Sequence, residues 1–185
     1  MKAQQIFKTL LSTSLVVAFA TLSACTSGEK KSGSTDEHAE AVADEPKSEA
    51  GNPQFKDEKV KVAYEHYIHV KNALVKADAK EAQKGAAQLQ TALTAAGNKT
   101  GADLAGKIAS ASKLDVQRNE LDALTSEVEK TIKASKLASG KVFKQFCPMA
   151  KNGDGAYWLA SESDIKNPYY GDEMLECGEV KEEIK

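Results

Sequence analysis

The sulfur-bearing residues near the C-terminus are the part of this sequence best suited to chemistry. The stretch FCPMA places Cys147 two residues before Met149, and EMLECG places Met174 three residues before Cys177. An extended segment points alternate side chains to one side, and a helical turn brings residues i and i+3 together. Each pair is therefore predicted to offer a thiol and a thioether on a common face.

Two sulfur chemistries compete for these four side chains. Thiolate and thioether are soft donors that favour Cu(I) or Ag(I) over zinc and the hard cations. If the two faces meet, Cys147, Met149, Met174 and Cys177 make a two-cysteine, two-methionine site for such an ion. In an oxidising compartment the two cysteines would instead form a disulfide, with the methionines as ordinary core residues. Separate thiols are the third alternative.

The elements that would carry these residues are short. KVFKQF and AYWLA are β-branched or aromatic runs that flank the turn KNGDG, and they predict a β-hairpin. The hairpin would bring Cys147 beside Tyr157 and Trp158, which would shield the site from water. NPYYGD is predicted to be a loop, Asp172 the cap of a helical turn DEMLEC, and EVKEEIK a final short strand or frayed tail.

Residues 55–140 show the helical periodicity of a scaffold. DAKE at Asp78 has the pattern of an N-terminal cap for a second helix that Gly97 ends. TGAD at Thr100 and SKLD at Ser112 start a third and a fourth helix, or one bent helix, ending near Gly140. The first stripe of apolar residues is Val60, Ala63, Tyr67, Val70, Leu74 and Ala77. The fold class is therefore mainly α, an antiparallel bundle of three to four helices with a small C-terminal β-hairpin and loop module, residues 141–185, packed on it.

The N-terminal part indicates export. Residues 1–24 have a basic start, an apolar stretch and LSAC, which resembles the bacterial lipobox and implies that Cys25 becomes a lipidated N-terminus. Residues 25–54 are rich in Ser, Gly, Glu and Ala and are predicted to form a disordered tether. We expect a cell-envelope protein, held to a membrane by its N-terminal lipid and facing the periplasm or lying at the outer membrane.

Several functions are not expected. The formal net charge is −2 and Arg118 is the only arginine, so no basic surface for nucleic acid is predicted. No Ser/His/Asp constellation, nucleotide loop or Cys-x-x-Cys motif appears, so the protein is not expected to be an enzyme. His66 and His69 share a helix side and could chelate a metal, but no third ligand lies nearby in the sequence.

A family resemblance covers most of the folded part. QRNELDALTSEVEKTIK, followed by FCPMA and GAYWLASESDIKNPYYGDEMLECGEV, resembles the bacterial envelope family known as domain of unknown function 3347, from about residue 60 to residue 180. The sequence departs from the pattern at Leu121, where members often have Phe, and at Ala160, where they usually have Ser. The domain also occurs fused to periplasmic adaptor subunits of copper/silver efflux pumps, which implies a role in copper or silver handling.

The expected function follows from the residues and the resemblance together. We expect a membrane-tethered envelope protein that binds or buffers Cu(I) or Ag(I), with Cys147 and Cys177 as thiolate ligands and Met149 and Met174 as thioether ligands. A periplasmic efflux adaptor is the candidate partner. The alternative is a non-catalytic protein-interaction module with a structural Cys147–Cys177 disulfide.

Overall fold

Four helices make up the larger part of the fold. The computed structural model describes residues 48–185. The helices are α1 (Glu58–Val75), α2 (Ala79–Ala95), α3 (Lys99–Ser110) and α4 (Leu114–Ser135). Consecutive helices pack on one another, and α1 also packs on α4. Because three-residue connections join packed neighbours, successive helices are antiparallel, which confirms the predicted bundle.

Side-chain caps set most of the helix starts. The predicted cap Asp78 accepts a hydrogen bond of 2.9 Å from the Glu81 N–H. The third helix begins earlier than predicted, because Asn98 rather than Thr100 caps it, through a 2.7 Å bond from the Gly101 N–H. No side chain caps α4, whose first turn follows Lys113.

The end of α4 lies earlier than expected. The helix stops at Ser135 instead of near Gly140, because Lys136 adopts a left-handed φ of 61°. The chain then forms β2 (Leu137–Ser139), which pairs antiparallel with β1 (Gln54–Phe55). This two-stranded sheet closes one end of the bundle, and β1 also packs on α1.

The end of the predicted tether is part of the fold. The Gly51 N–H donates to the Ser161 carbonyl at 2.7 Å, and the Gly51 carbonyl accepts from the Lys141 N–H at 2.9 Å. The Glu49 carbonyl accepts from the Ser163 N–H at 2.9 Å. These are main-chain contacts to distant segments, so the polar composition of residues 48–54 gave no sign of them. The signal sequence, Cys25 and the tether up to residue 47 lie outside the described residues.

A three-stranded antiparallel sheet forms the C-terminal module. Its strands are β3 (Val142–Cys147), β4 (Ala156–Ala160) and β5 (Glu179–Ile184), with β3 in the middle. The pair β3–β4 is the predicted hairpin, and EVKEEIK is a strand rather than a frayed tail. The long connection from β4 to β5, residues 161–178, is called the covering loop below.

The two faces of this sheet have different neighbours. Towards the bundle, β4 packs on α4, and Lys144 of β3 forms a 2.8 Å ion pair with Glu129 of α4. On the other face, the side-chain amide of Gln145 donates to three carbonyls of the covering loop, at Glu162, Ser163 and Asp164. The sheet is therefore held between α4 and the covering loop. None of the helices in residues 48–185 is long and apolar enough to cross a membrane.

Candidate metal centre

Cys147 is the last residue of the central strand. It lies opposite Ala156 in the β3–β4 register, and its side chain has no solvent exposure. Because register partners share a face and side chains alternate along a strand, Cys147 lies on the same face as Gln145 and Trp158. Cys147 is therefore in the interior, beneath the covering loop.

Cys177 lies near the end of the covering loop and is partly exposed. Its carbonyl accepts a 3.0 Å hydrogen bond from the side-chain amide of Asn167, which is fully buried. The Asn167 carboxamide oxygen accepts from the N–H groups of Tyr169, at 2.8 Å, and Tyr170, at 3.3 Å. One amide thus fixes both the NPYY turn and the main chain of Cys177.

The covering loop brings the two cysteines into contact. The Sγ atoms of Cys147 and Cys177 are 2.8 Å apart, and both thiols are free. The distance is longer than a disulfide bond of about 2.05 Å and short enough for one thiol to hydrogen-bond the other. The proximity that both sulfur chemistries require is therefore present.

The contact affects the acidity of the exposed thiol. The hydrogen bond with Cys147 raises the pKa of the Cys177 thiol, and burial raises it further. The Met149 main chain acts in the opposite direction and lowers the pKa of Cys177. The protonated form of Cys177 is favoured overall, so a metal ion must displace its proton to bind.

Met149 does not continue the strand of Cys147. The strand ends at Cys147, and residues 148–150 form a turn in which the Ala150 N–H bonds to the Cys147 carbonyl at 3.4 Å. The prediction of an extended Cys-x-Met segment is therefore wrong, because Pro148 and the following residues turn the chain away from the sheet. Met149 is 53% exposed, and its carbonyl accepts a 2.6 Å hydrogen bond from the Tyr170 hydroxyl.

Met174 and Cys177 belong to a turn and not to a helix. The only helical residues here are a short 3₁₀ segment, Gly171–Glu173, in which Asp172 makes no side-chain cap. Met174 has an extended φ of −146°, and its carbonyl accepts from the Cys177 N–H at 3.1 Å. The predicted helical turn DEMLEC is therefore wrong, although the turn still holds partly buried Met174 beside Cys177.

Of the two aromatic residues predicted to shield the site, only Trp158 lies on the cysteine face. Trp158 has no solvent exposure, and its ring lies 6.2 Å from that of Tyr169. A Cβ at Gly178 would come within 2.8 Å of the indole, so the chain after Cys177 crosses directly over Trp158. Tyr157 lies on the opposite face of the sheet, stacked 4.6 Å from Phe146.

The histidine pair does not form a metal site with other residues. The His69 ring is 2.8 Å from the Glu81 carboxylate of α2 and links the first two helices. Within residues 48–185, no three His, Cys, Asp or Glu side chains come together as metal ligands. Within the described residues, an ion at the cysteine pair would therefore take any further side-chain sulfur ligand from methionine.

The residues that position the cysteines were missed by the sequence analysis. Gln145 and Asn167 were not singled out, although each is a buried amide that bonds to main-chain groups of the covering loop. Arg118 is a third such residue, and its sequence neighbours give no sign of its partners. Its guanidinium donates to the carbonyls of Pro168, at 2.9 Å, and Leu74, at 3.1 Å, and so ties α4 to both the loop and α1. The sequence signal for Gln145 is its place on a strand face whose other residues, Phe143 and Cys147, are apolar, because a polar residue there must find a buried hydrogen-bond partner.

A cavity borders the site on the side of α4. It has a volume of about 420 Å³, and its lining includes Arg118, Lys151, Tyr169 and Tyr170. Tyr170, which lines this cavity, donates its hydroxyl hydrogen bond to the Met149 carbonyl. A larger cavity of about 640 Å³ lies at the other end of α4, near Lys130 and Ser135, away from the sulfur atoms.

Comparison with known proteins supports the domain family for the bundle. The family model described as "Protein of unknown function (DUF3347)" matches residues 63–140. The match takes in most of α1, all of α2 to α4 and β2, and it ends before the strand that carries Cys147. No curated protein and no solved structure matches the chain.

Proposed function

We propose that this protein binds or buffers Cu(I) or Ag(I) at Cys147 and Cys177. The observation that carries the proposal is the 2.8 Å contact between the two sulfur atoms, one from the central strand and one from the covering loop. Thiolates are the protein ligands that soft monovalent ions prefer. Bringing two of them together from positions 30 residues apart creates a binding site that neither segment has alone.

The donor set suits a soft ion better than zinc. Structural zinc is bound by four ligands, usually cysteine and histidine, and the described residues offer two thiols without a third His, Cys, Asp or Glu. Cu(I) accepts sulfur from methionine as well as cysteine. Met149 follows Cys147 by two residues, and the Met174 carbonyl accepts a hydrogen bond from the Cys177 N–H, so each methionine has its main chain close to one of the two thiols.

Binding requires a small movement of one cysteine. With metal–sulfur bonds of about 2.3 Å, two sulfurs around one ion lie roughly 4 Å apart. The pair must therefore open from 2.8 Å, and a rotation of the partly exposed Cys177 side chain would do this, because the main chain of Cys177 is held by Asn167 and Cys147 is buried in the central strand. Met149 is 53% exposed and is therefore the most accessible of the four proposed ligands.

The cellular setting of the proposal comes from the sequence. A lipobox-like segment before Cys25 and a polar tether would place the folded part in the cell envelope, attached to a membrane through lipid. The resemblance to a domain fused to adaptor subunits of copper/silver efflux pumps makes such an adaptor the proposed recipient of the ion. The proposed role is binding without catalysis.

A second function is favoured by the same short distance. At 2.8 Å the sulfurs are closer than two ligands of one ion would be, and a small rotation would join them in a disulfide. A bridge across 30 residues would stabilise the fold by about 3–4 kcal/mol in the chain-entropy model. The protein would then be an interaction module held together by this disulfide, docking on another envelope protein.

A Cu(I) titration separates the two functions. Reduced protein carrying Cys25→Ser, which removes the unrelated thiol, should withdraw one equivalent of Cu(I) from a coloured chelator. Adding Cys147→Ser or Cys177→Ser should abolish that equivalent, while circular dichroism checks that the helices remain. A reduced protein that takes up no copper, or a Cys147→Ser variant that binds as tightly as its parent, would leave the disulfide module as the function.

A further inference from the structure

The two thiols of the pair differ in how solvent can reach them. Cys147 is fully buried under the covering loop, whereas Cys177 is partly exposed near the end of that loop. An incoming reagent therefore has access to Cys177 from solvent and none to Cys147. The buried sulfur nevertheless lies 2.8 Å from the exposed one, close enough to react with it in turn.

We propose that the pair is an ordered thiol–disulfide exchange site, in which Cys177 reacts first with a disulfide of a partner molecule and Cys147 resolves the product. Exposure decides which sulfur attacks, because thiol reactivity requires access and Cys147 has no solvent exposure. The inference goes beyond the proposed metal binding and does not depend on it. It assigns different roles to two residues that are equivalent as metal ligands.

The exchange consists of two balanced displacements. The Cys177 thiolate attacks the partner disulfide, forming a mixed disulfide and releasing one partner thiolate. The Cys147 thiolate then attacks the Cys177 sulfur, forming the Cys147–Cys177 bond and releasing the second partner thiolate. The two protein thiols lose two protons and two electrons in all, and the partner disulfide gains them as two thiols.

Local structure favours the second step. The Asn167 amide donates to the Cys177 carbonyl, and the Cys177 N–H donates to the Met174 carbonyl, so the main chain that carries the partly exposed thiol is held in place. The buried indole of Trp158 packs against the main chain at Gly178 and supports the end of the covering loop. Because Cys147 is already within 2.8 Å, resolution needs no rearrangement of the fold.

Oxidised glutathione is the probe that tests the order. In the Cys25→Ser background, reduced protein should proceed to the internal disulfide without accumulating an adduct. Cys147→Ser should accumulate one glutathione on Cys177, because nothing resolves it. In the native state, Cys177→Ser should form its glutathione adduct at least about tenfold more slowly than Cys147→Ser, because its remaining thiol is buried. Equal rates of adduct formation in the two variants would overturn the order. The proposal would also fail if the protein with both thiols formed no internal disulfide, either during the reaction or at equilibrium.

A measurement on the protein that keeps both thiols tests the same order without relying on variants that could fail to fold. Brief alkylation of the native, reduced protein, followed by peptide mapping, should label Cys177 well before Cys147, and denaturation should make the two rates equal. Preferential labelling of Cys147 would contradict the proposal. Because neither experiment contains copper, a failure here leaves the Cu(I) titration unaffected, and a failed titration leaves the exchange order standing.

Discussion

The helical bundle and the C-terminal module are held together by different kinds of interaction. In the bundle, α1, α2 and α3 meet through alanine and leucine side chains, as at Ala86, Leu89 and Leu93, which have no solvent exposure. In the module, fully buried Gln145 and Asn167 hold the covering loop by hydrogen bonds to its main chain. Apolar packing is non-directional, whereas each of these hydrogen bonds fixes one position.

This difference separates stability from the geometry of the site. Apolar burial in the bundle contributes most of the stability, and many substitutions there change the free energy of unfolding without moving a sulfur atom. The hydrogen bonds of the covering loop contribute less free energy, but they set the distance between Cys147 and Cys177. We therefore expect the two regions to respond differently to substitution.

The largest expected effect is on stability, from truncating a core leucine of the bundle. Leu93→Ala should lower the free energy of unfolding by about 2–5 kcal/mol, because Leu93 is fully buried and its loss leaves a cavity. Chemical denaturation followed by circular dichroism measures the loss. Under conditions where the variant stays folded, its rate of disulfide formation with oxidised glutathione should match that of the parent protein. A rate changed tenfold would show that the bundle also sets the sulfur geometry.

The next effect compares two asparagines that each make three side-chain hydrogen bonds. Asn167→Ala removes the bonds to Cys177, Tyr169 and Tyr170. Because the freed polar groups are in the interior, we expect a loss of about 1–3 kcal/mol in stability. Internal disulfide formation should also slow by about tenfold, since Cys177 is no longer held against its neighbour.

Asn98→Ala is the matched control in the bundle. Its side chain caps α3 at Gly101 and donates to the Glu127 carbonyl and the Thr131 hydroxyl. We expect a similar loss of stability with no change in the rate of disulfide formation. If Asn98→Ala slows the reaction as much as Asn167→Ala does, the covering loop has no special role in positioning the sulfurs.

The same contrast explains what the sequence revealed. The helices, the Asp78 cap and the β3–β4 hairpin were predictable because their signals are local, a periodicity or a turn motif within a few residues. The residue types suggested that Cys147 and Cys177 could share a site if their segments met. Whether they met depended on the covering loop folding back over the sheet, which no local pattern encodes.

The remainder of the site depends on contacts between distant segments. Gly51 bonds to residues 90 and 110 positions away in the chain, so the ordered end of the tether had no local signal. Asn167 was read as a loop residue before a proline, which describes its backbone but not its bond to Cys177. The turn at Met149 was not predictable, because the residue types that follow Cys147 occur both in strands and in turns and do not show where the strand ends.

A smaller effect tests the methionines within the module. Met149→Leu and Met174→Leu keep the volume of the side chain while removing its sulfur, so the fold should change little. If the thioethers bind the ion, each substitution should weaken Cu(I) binding by about tenfold, or about 1.4 kcal/mol. Competition with a chelator measures the affinity, and thermal unfolding serves as the control. Unchanged affinity in both variants would reduce the site to its two cysteines.

The smallest effect concerns an ion pair that joins the two regions. Glu129 of α4 lies 2.8 Å from Lys144 of β3 and 2.6 Å from Lys133. Burial of the carboxyl opposes its ionisation, but the hydrogen bonds from Lys133 and Lys144 outweigh burial and hold the pKa of Glu129 below its ordinary value. A lowered pKa in the folded state stabilises the fold above the unfolded-state pKa, and this contribution is lost as the pH falls through the folded-state pKa.

Glu129→Gln should therefore destabilise the protein by less than about 1 kcal/mol at neutral pH, because Glu129 and Lys144 keep 12% and 21% of their side-chain exposure and solvent still screens the pair. The difference from the parent protein should shrink on acidification below about pH 4.5, as the parent carboxyl takes up its proton. Glu127→Gln is the control, since Glu127 pairs with Lys130 of its own helix at 2.6 Å and does not reach the sheet. Denaturant unfolding between neutral and acidic pH gives both comparisons. If Glu129→Gln costs no more than Glu127→Gln at any pH, the sheet is held on the bundle by its buried contacts alone, and charge adds nothing to the junction between the two regions.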